Sequence, residues 1–305
     1  MRRDPSHDSA SSSSNWSRMS IRQRVYLVLA IVLFIIAGLV MAYPFFSRWY
    51  AGTMQATVMQ DYVSAVEVVT PQMRAEVFDE ALRYNEAMAA GLLGDEFGLH
   101  IGDPFTFGSS VLPKGYFEQL STPEADGMMA TIEIPALRIK LPIYHGVDEH
   151  TLQIGIGHVP QSALPVGGAG THSVLAGHRG RPGSLLFTDL DRLAVGDVFL
   201  IHVLDQTLAY EVHKIRIVTP DDVSSLEPVP GEDLMTLSTC TPLGVNSHRL
   251  LVHAHRVPFQ PIPVAWPDAN TSQFLIMLAV IGALFALFAL VWHFDRRHFN
   301  IMAPK

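Results

Sequence analysis

Two runs of the chain are apolar from end to end and uncharged, and between them the apolar positions repeat first with a helical and then with a strand period. The first run, Val25 to Tyr43, and the second, Phe274 to Trp292, are each long enough as helices, about 28 Å, to cross most of a bilayer's hydrocarbon core. From Asp61 to Leu93 the spacing is helical: Val63, Val66 and Val69 precede Pro71, and Met73, Val77, Ala81, Met88 and Leu92 follow, with Arg74, Glu76, Glu80 and Arg83 between. This predicts two amphipathic helices within a helical extension over 54–93, broken near Pro71 and each with one face on a core. Residues 94–125 lose that period and are rich in Gly, Pro, Ser and Asp, which predicts a long loop.

From Thr131 the period becomes two. Thr131 to Ile134, Leu137 to Ile143, Ser173 to Gly177, Val198 to Val203, Leu208 to Val218, Leu234 to Thr239 and Arg249 to Val257 read as short strands, with a hairpin at Leu204-Asp205-Gln206-Thr207. Many short strands with Gly/Pro turns predict a closed or nearly closed barrel over 129–258. No internal repeat is present.

The flanks of the apolar runs orient the chain. Arg18, Arg22 and Arg24 precede the first, and Arg296, Arg297 and Lys305 follow the second. Tyr43, Phe45, Trp49, Trp266 and Trp292 supply interfacial aromatics. The positive-inside rule then puts the Ser-rich tail 1–24 and the tail 293–305 in the cytoplasm, and the region between the spans outside. A cleaved signal peptide is the alternative for the first run, although it is long for one and no small-x-small site follows closely. A buried core helix is the alternative for the second.

The charge is −8, from 21 basic and 29 acidic residues, which argues against a nucleic-acid partner. No zinc spacing, phosphate loop or dinucleotide fingerprint occurs. The single cysteine, Cys240, excludes an internal disulfide; outside the cytoplasm a lone thiol is either buried or does chemistry. It ends an apolar strand in Leu237-Ser238-Thr239-Cys240-Thr241-Pro242, where Pro242 and Gly244 turn the chain. A buried, inert cysteine is the plain alternative.

Arg249, nine residues on, opens the next strand, so a turn between neighbouring strands brings a guanidinium beside the thiol. A rim ion pair is its plain alternative. His178, in Leu175-Ala176-Gly177-His178-Arg179-Gly180, follows a short strand between glycines. Among 14 histidines it competes with His145, His158, His172, His248, His253 and His255.

The segment from LSTCTP to Arg249-Leu250-Leu251-Val252 resembles the active-site strand pair of the sortase family. AGHRG resembles its histidine segment, and Leu141-Pro142-Ile143-Tyr144-His145-Gly146 an early barrel strand. The resemblance spans about Met129 to Val257. It implies a mainly β fold, an eight-stranded sortase barrel with N-terminal amphipathic helices and two flanking transmembrane helices. It implies Cys240 as nucleophile, His178 as acid/base and Arg249 as oxyanion or substrate stabiliser, without cofactor or metal. The reaction implied is cleavage of an LPxTG-like signal after its threonine, through a thioester that an amine resolves without ATP.

The second apolar run, the helical extension and Asp103-Pro104-Phe105 resemble the pilin-polymerising class, class C. There Asp103 would pair with Arg249, Phe105 would cover Cys240 and Pro104 would stiffen the motif, a lid acting as substrate mimic. An ordinary Asp-Pro turn is the alternative. Leu243 departs from the aromatic found in many class C relatives, which touches subsite shape. The partners implied are LPxTG-bearing pilin subunits, one supplying the sorting signal and one the acceptor lysine, and membrane lipid, at a two-pass site in a Gram-positive envelope. The rivals are a sortase anchoring proteins to peptidoglycan, a membrane-bound cysteine hydrolase, and a non-enzymatic scaffold indifferent to Cys240→Ala.

Overall fold

The computed structural model describes residues 20–90, 103, 105, 113, 115–121, 127–180, 186–261, 275, 276 and 278–286. The chain divides into two compact units, residues 1–45 with 275–305, and residues 46–274.

The first apolar run opens a single helix, α1 (Ile21–Val68), which continues through Pro44. Among the described residues it is the one helix long and apolar enough to cross a membrane. The second apolar run is helical where described, at 275, 276 and 278–286; its remaining residues lie outside the description. Within the first unit, a Cβ built at Gly38 would sit 3.5 Å from Leu284 Cδ1, an ordinary packing distance between the two apolar segments.

Helix α2 (Pro71–Ala89) begins at the proline that the sequence suggests as a breaker. Pro71 occupies the first turn, where its missing N–H costs nothing, and Thr70 caps the helix by accepting from Met73 N at 3.3 Å. Tyr62 of α1 ties the helices to the sheet: its hydroxyl donates to Met129 O and accepts from Leu204 N, both at 3.1 Å. Asn85 of α2, 2% exposed, donates to Leu164 O and Gly167 O and accepts from Leu164 N at 2.7 Å. Asn85→Leu removes the side-chain partners of the buried Leu164 N and Gly167 O, while Leu164 O still accepts from Val166 N at 2.8 Å. It is expected to destabilise the protein by about 2–4 kcal/mol, read as a lowered midpoint in chemical unfolding.

The strands are β1 (Met128–Ile134), β2 (Ile139–His145), β3 (Ile156–His158), β4 (Thr171–Ala176), β5 (Val198–Val203), β6 (Gln206–Val218), β7 (Asp233–Thr241) and β8 (His248–Val257). They close into a barrel in the order β1-β2-β3-β4-β7-β8-β6-β5. The β2–β3 and β4–β7 pairs are parallel, the others antiparallel. The β5–β6 connection is the two residues Leu204 and Asp205; Leu204 takes φ 52°, and its N–H bond to Tyr62 helps offset that conformation.

Alternation sorts β8 between two cores. Leu250, Val252 and Ala254 join the barrel interior, with Ile132, Ile143, Leu175, Phe199, Met235 and Leu237. Leu251 faces outward, where Val174 and Ala176 are covered by Val147, Val159, Leu226 and Leu152 of the short helix α3 (Glu149–Ile154). Strand β4 is therefore buried on both faces, which explains why its apolar half, Val174-Leu175-Ala176, shows no alternation. The outer cluster leads directly to the site.

Candidate active site

Three strand ends converge. In the β7–β8 ladder Cys240 lies opposite Arg249, so their side chains share the outer face. In the parallel β4–β7 ladder Ala176 lies beside Ser238. Gly177 extends that pairing by donating to Ser238 O at 3.1 Å, and Thr239 Oγ1 donates to Gly177 O at 2.7 Å. His178 thus leaves the sheet alongside the end of β7 that carries Cys240. Gly177 has no room for a side chain: a Cβ would lie 2.7 Å from Ile156 Cδ1 and 2.8 Å from Phe187 Cδ2. Gly180 has φ +70°, and the space beside it is taken by Leu243, which joins the histidine loop to the β7–β8 loop.

Arg249 is 8% exposed and fully engaged. Its Nε and Nη2 donate to Asp103 Oδ1 and Oδ2 at 2.7 and 2.6 Å, and Nη1 donates to Asn246 O and His248 O at 3.1 and 3.2 Å. A fork of this kind is a strong charge-assisted pair; burial pulls the guanidinium down, and the Asp103 hydrogen bonds with the nearby Cys240 and Asp103 charges together hold it above its ordinary pKa. Phe105 N donates to Asp103 Oδ1 at 3.2 Å, which folds the segment back on itself. The Phe105 ring lies 5.1 Å from Arg249 Cζ and 6.2 Å from the His178 ring, and packs on the outer cluster with Val223. Pro104 lies outside the described residues.

Cys240 is a free, half-buried thiol. Burial pushes its pKa up; Arg249 pulls it down and Asp103 adds to the rise. A carboxylate clamped on Arg249 therefore suppresses the thiolate, and its departure favours it.

The competing histidines serve the framework. His158 is fully buried, 2.8 Å from Ala163 O and 2.9 Å from the Tyr116 hydroxyl, and burial lowers its pKa to about 3. His145 lies between Gly127 O and Gln119 O. His172 and His253 share the Thr236 hydroxyl at 2.7 and 2.8 Å, and burial lowers both pKa values, that of His253 to about 3. His248 meets Ser247 on an exposed turn, and His255 packs near His213.

Two residues that the sequence reading passed over also belong here. Arg179 donates to Thr241 Oγ1 at 3.1 Å and pairs with Asp191, tying the histidine loop to the end of β7. Its place next to His178 was the available signal. Glu149 of α3 brings Oε2 to 3.6 Å from His178 Nε2, and no local pattern announces it. Among the described residues no cluster of three potential metal ligands occurs.

The sortase-domain family model matches residues 132–257. Sortase C-1 of Actinomyces oris is 44% identical, covering 61% of this chain and 99% of its own, with a TM-score of 0.55. The sortase C of Streptococcus pneumoniae, described for its insights into catalysis and pilin substrate specificity, is 36% identical, covering 68% of this chain and 100% of its own, with a TM-score of 0.59. Sortase SrtE1 of Streptomyces coelicolor is 32% identical over 157 residues, and the matched part spans 44% of that protein.

These likenesses define a class, the β-barrel cysteine transpeptidases. The chain belongs to the sortase family, and its similar solved structures include several sortases C as well as the sortase A of Corynebacterium diphtheriae.

Proposed function

We propose that the protein is a pilin-polymerising sortase, anchored by two membrane spans with its barrel outside the cell. Cys240 is the nucleophile, His178 the acid/base, Arg249 the oxyanion stabiliser, and Asp103-Pro104-Phe105 a lid. The observation that carries this reading is the two-pronged Asp103–Arg249 pair with Phe105 against both Arg249 and His178. A carboxylate there occupies the donors that an oxyanion would need, and an aromatic ring screens the same spot, as expected of a segment lying where substrate binds.

The reaction follows from those roles. With the lid displaced, the Cys240 thiolate attacks the threonine carbonyl of a Leu-Pro-x-Thr-Gly-like signal. The carbonyl π electrons move to oxygen, where Arg249 donates hydrogen bonds. As the tetrahedral adduct collapses, the C–N bond breaks and the imidazolium of His178 protonates the departing glycine amine. His178, now neutral, takes a proton from an incoming lysine amine of another pilin subunit. That amine attacks the thioester, and the thiolate leaves. One amide has been exchanged for another, so no ATP is required.

The test incubates the full-length protein with a Leu-Pro-x-Thr-Gly peptide and a lysine-bearing pilin domain, read by mass spectrometry. An acyl adduct on Cys240 and a new isopeptide bond are the expected products. Water or small peptidoglycan amines as sole acceptors would replace pilus building with hydrolysis or anchoring. Asp103→Ala with Phe105→Ala is expected to raise adduct formation about tenfold, because the site no longer closes on itself. An unchanged rate would remove the lid from the proposal.

A further inference from the structure

We propose that Glu149 is a positioning residue for His178: its carboxylate orients the imidazole and favours the protonated form that the thiolate needs beside it. This rests on the reading of Cys240 and His178 given above.

The geometry is built rather than incidental. Asp148 caps α3, accepting from Thr151 N and Thr151 Oγ1 at 3.0 Å each, and so fixes where the helix starts. Glu149 is the first residue of that helix. One turn on, Gln153 Nε2 donates to Glu149 Oε1 at 3.0 Å, which holds one carboxylate oxygen and leaves Oε2 3.6 Å from His178 Nε2. On another side His178 meets the Phe105 ring, and it leaves the sheet beside the end of β7 that carries Cys240, across from the Asp103-paired Arg249 of β8. Its neighbour Arg179 is engaged with Asp191 and Thr241. Glu149 is thus the carboxylate presented directly to the imidazole from α3.

The site needs such a group. Burial lifts the Cys240 thiol, which disfavours the thiolate–imidazolium pair. Each unit by which a nearby anion raises the histidine pKa favours that pair about tenfold. The Glu149 side chain is 67% exposed, so solvent screens the effect to a fraction of what a buried pair would give.

This mechanism has a signature that loss of packing lacks. Below the histidine pKa the imidazole is protonated with or without Glu149, and the amount of thiolate depends on Cys240 alone. Above it, the protein lacking Glu149 loses the imidazolium first and retains less thiolate.

The experiment measures iodoacetamide labelling of full-length protein in detergent, wild type and Glu149→Gln, from about pH 4 to about pH 9. Cys240 is the only cysteine, so label uptake by intact mass reports it alone. The expected result is coinciding rates at the acid end and a shoulder about three- to tenfold lower around neutral pH in Glu149→Gln. Equal rates throughout, or a loss by one constant factor at every pH, would overturn the proposal. The parent reading fails separately, through a wild-type protein whose Cys240 labels yet never takes up a peptide acyl group; the labelling profile still decides the role of Glu149.

Discussion

Cys240→Ala is expected to abolish turnover of a Leu-Pro-x-Thr-Gly peptide, lowering kcat/KM by about 10⁴-fold or more, with no acyl adduct in the mass spectrum. No other thiol exists in the chain to stand in for it. The loss should be chemical rather than structural. Cys240 sits at the end of β7, half-buried, with its neighbours Thr239 and Thr241 making the local hydrogen bonds. Removing one sulfur there should change stability by about 1 kcal/mol or less, read as a near-unchanged melting temperature. Cleavage persisting in the alanine protein would sink the covalent mechanism and favour a binding scaffold.

Arg249→Ala tests the second role, and two effects oppose each other in it. Loss of the oxyanion donor should lower kcat/KM by about 10²–10³-fold. Loss of the partner of Asp103 should release the lid, because a carboxylate 8% exposed is strongly disfavoured without its guanidinium. Lid release is worth about tenfold in the other direction, so the net expectation is a large loss. A second comparison separates the terms. In the Asp103→Ala, Phe105→Ala background the lid is already open, and Arg249→Ala should there show its full loss. Arg249→Lys keeps a charge but not the planar fork, and should fall between. An alanine protein as active as wild type would confine Arg249 to holding the lid.

The outline of both the fold and the site was legible along the chain. Strands β5 to β8 read as short apolar-rich runs because one face of each meets the barrel interior, and β7 and β8 are buried along most of their length. The apolar reading of β4 came from burial on both faces. Strand β3 escaped: three residues, Ile156-Gly157-His158, are too few for a period, and they are a strand only because β2 and β4 flank them. Helix α3 escaped for the same reason, at six residues. Pro71 reads as a helix breaker, and so it is: α1 ends at Val68 and α2 starts at Pro71 behind the Thr70 cap. The second apolar run is described only in part, at 275, 276 and 278–286, and its span remains part of the proposal.

The sequence by itself determined what is local or periodic: apolar runs long enough for a membrane, strands of period two, a lone thiol at a strand end and an arginine at the start of the next strand. Each follows from interactions between residues close along the chain, or from one side chain's preference for water or oil. Tertiary structure alone decided that His178 leaves the sheet alongside the end of β7 that carries Cys240, because the β4–β7 register brings together residues more than 60 positions apart. It alone decided that Asp103 closes on Arg249, across 146 positions, and that Glu149 faces His178. Such contacts cost loop-closure entropy that no local pattern records, and they form only because barrel closure and burial of the outer cluster supply the free energy to hold them.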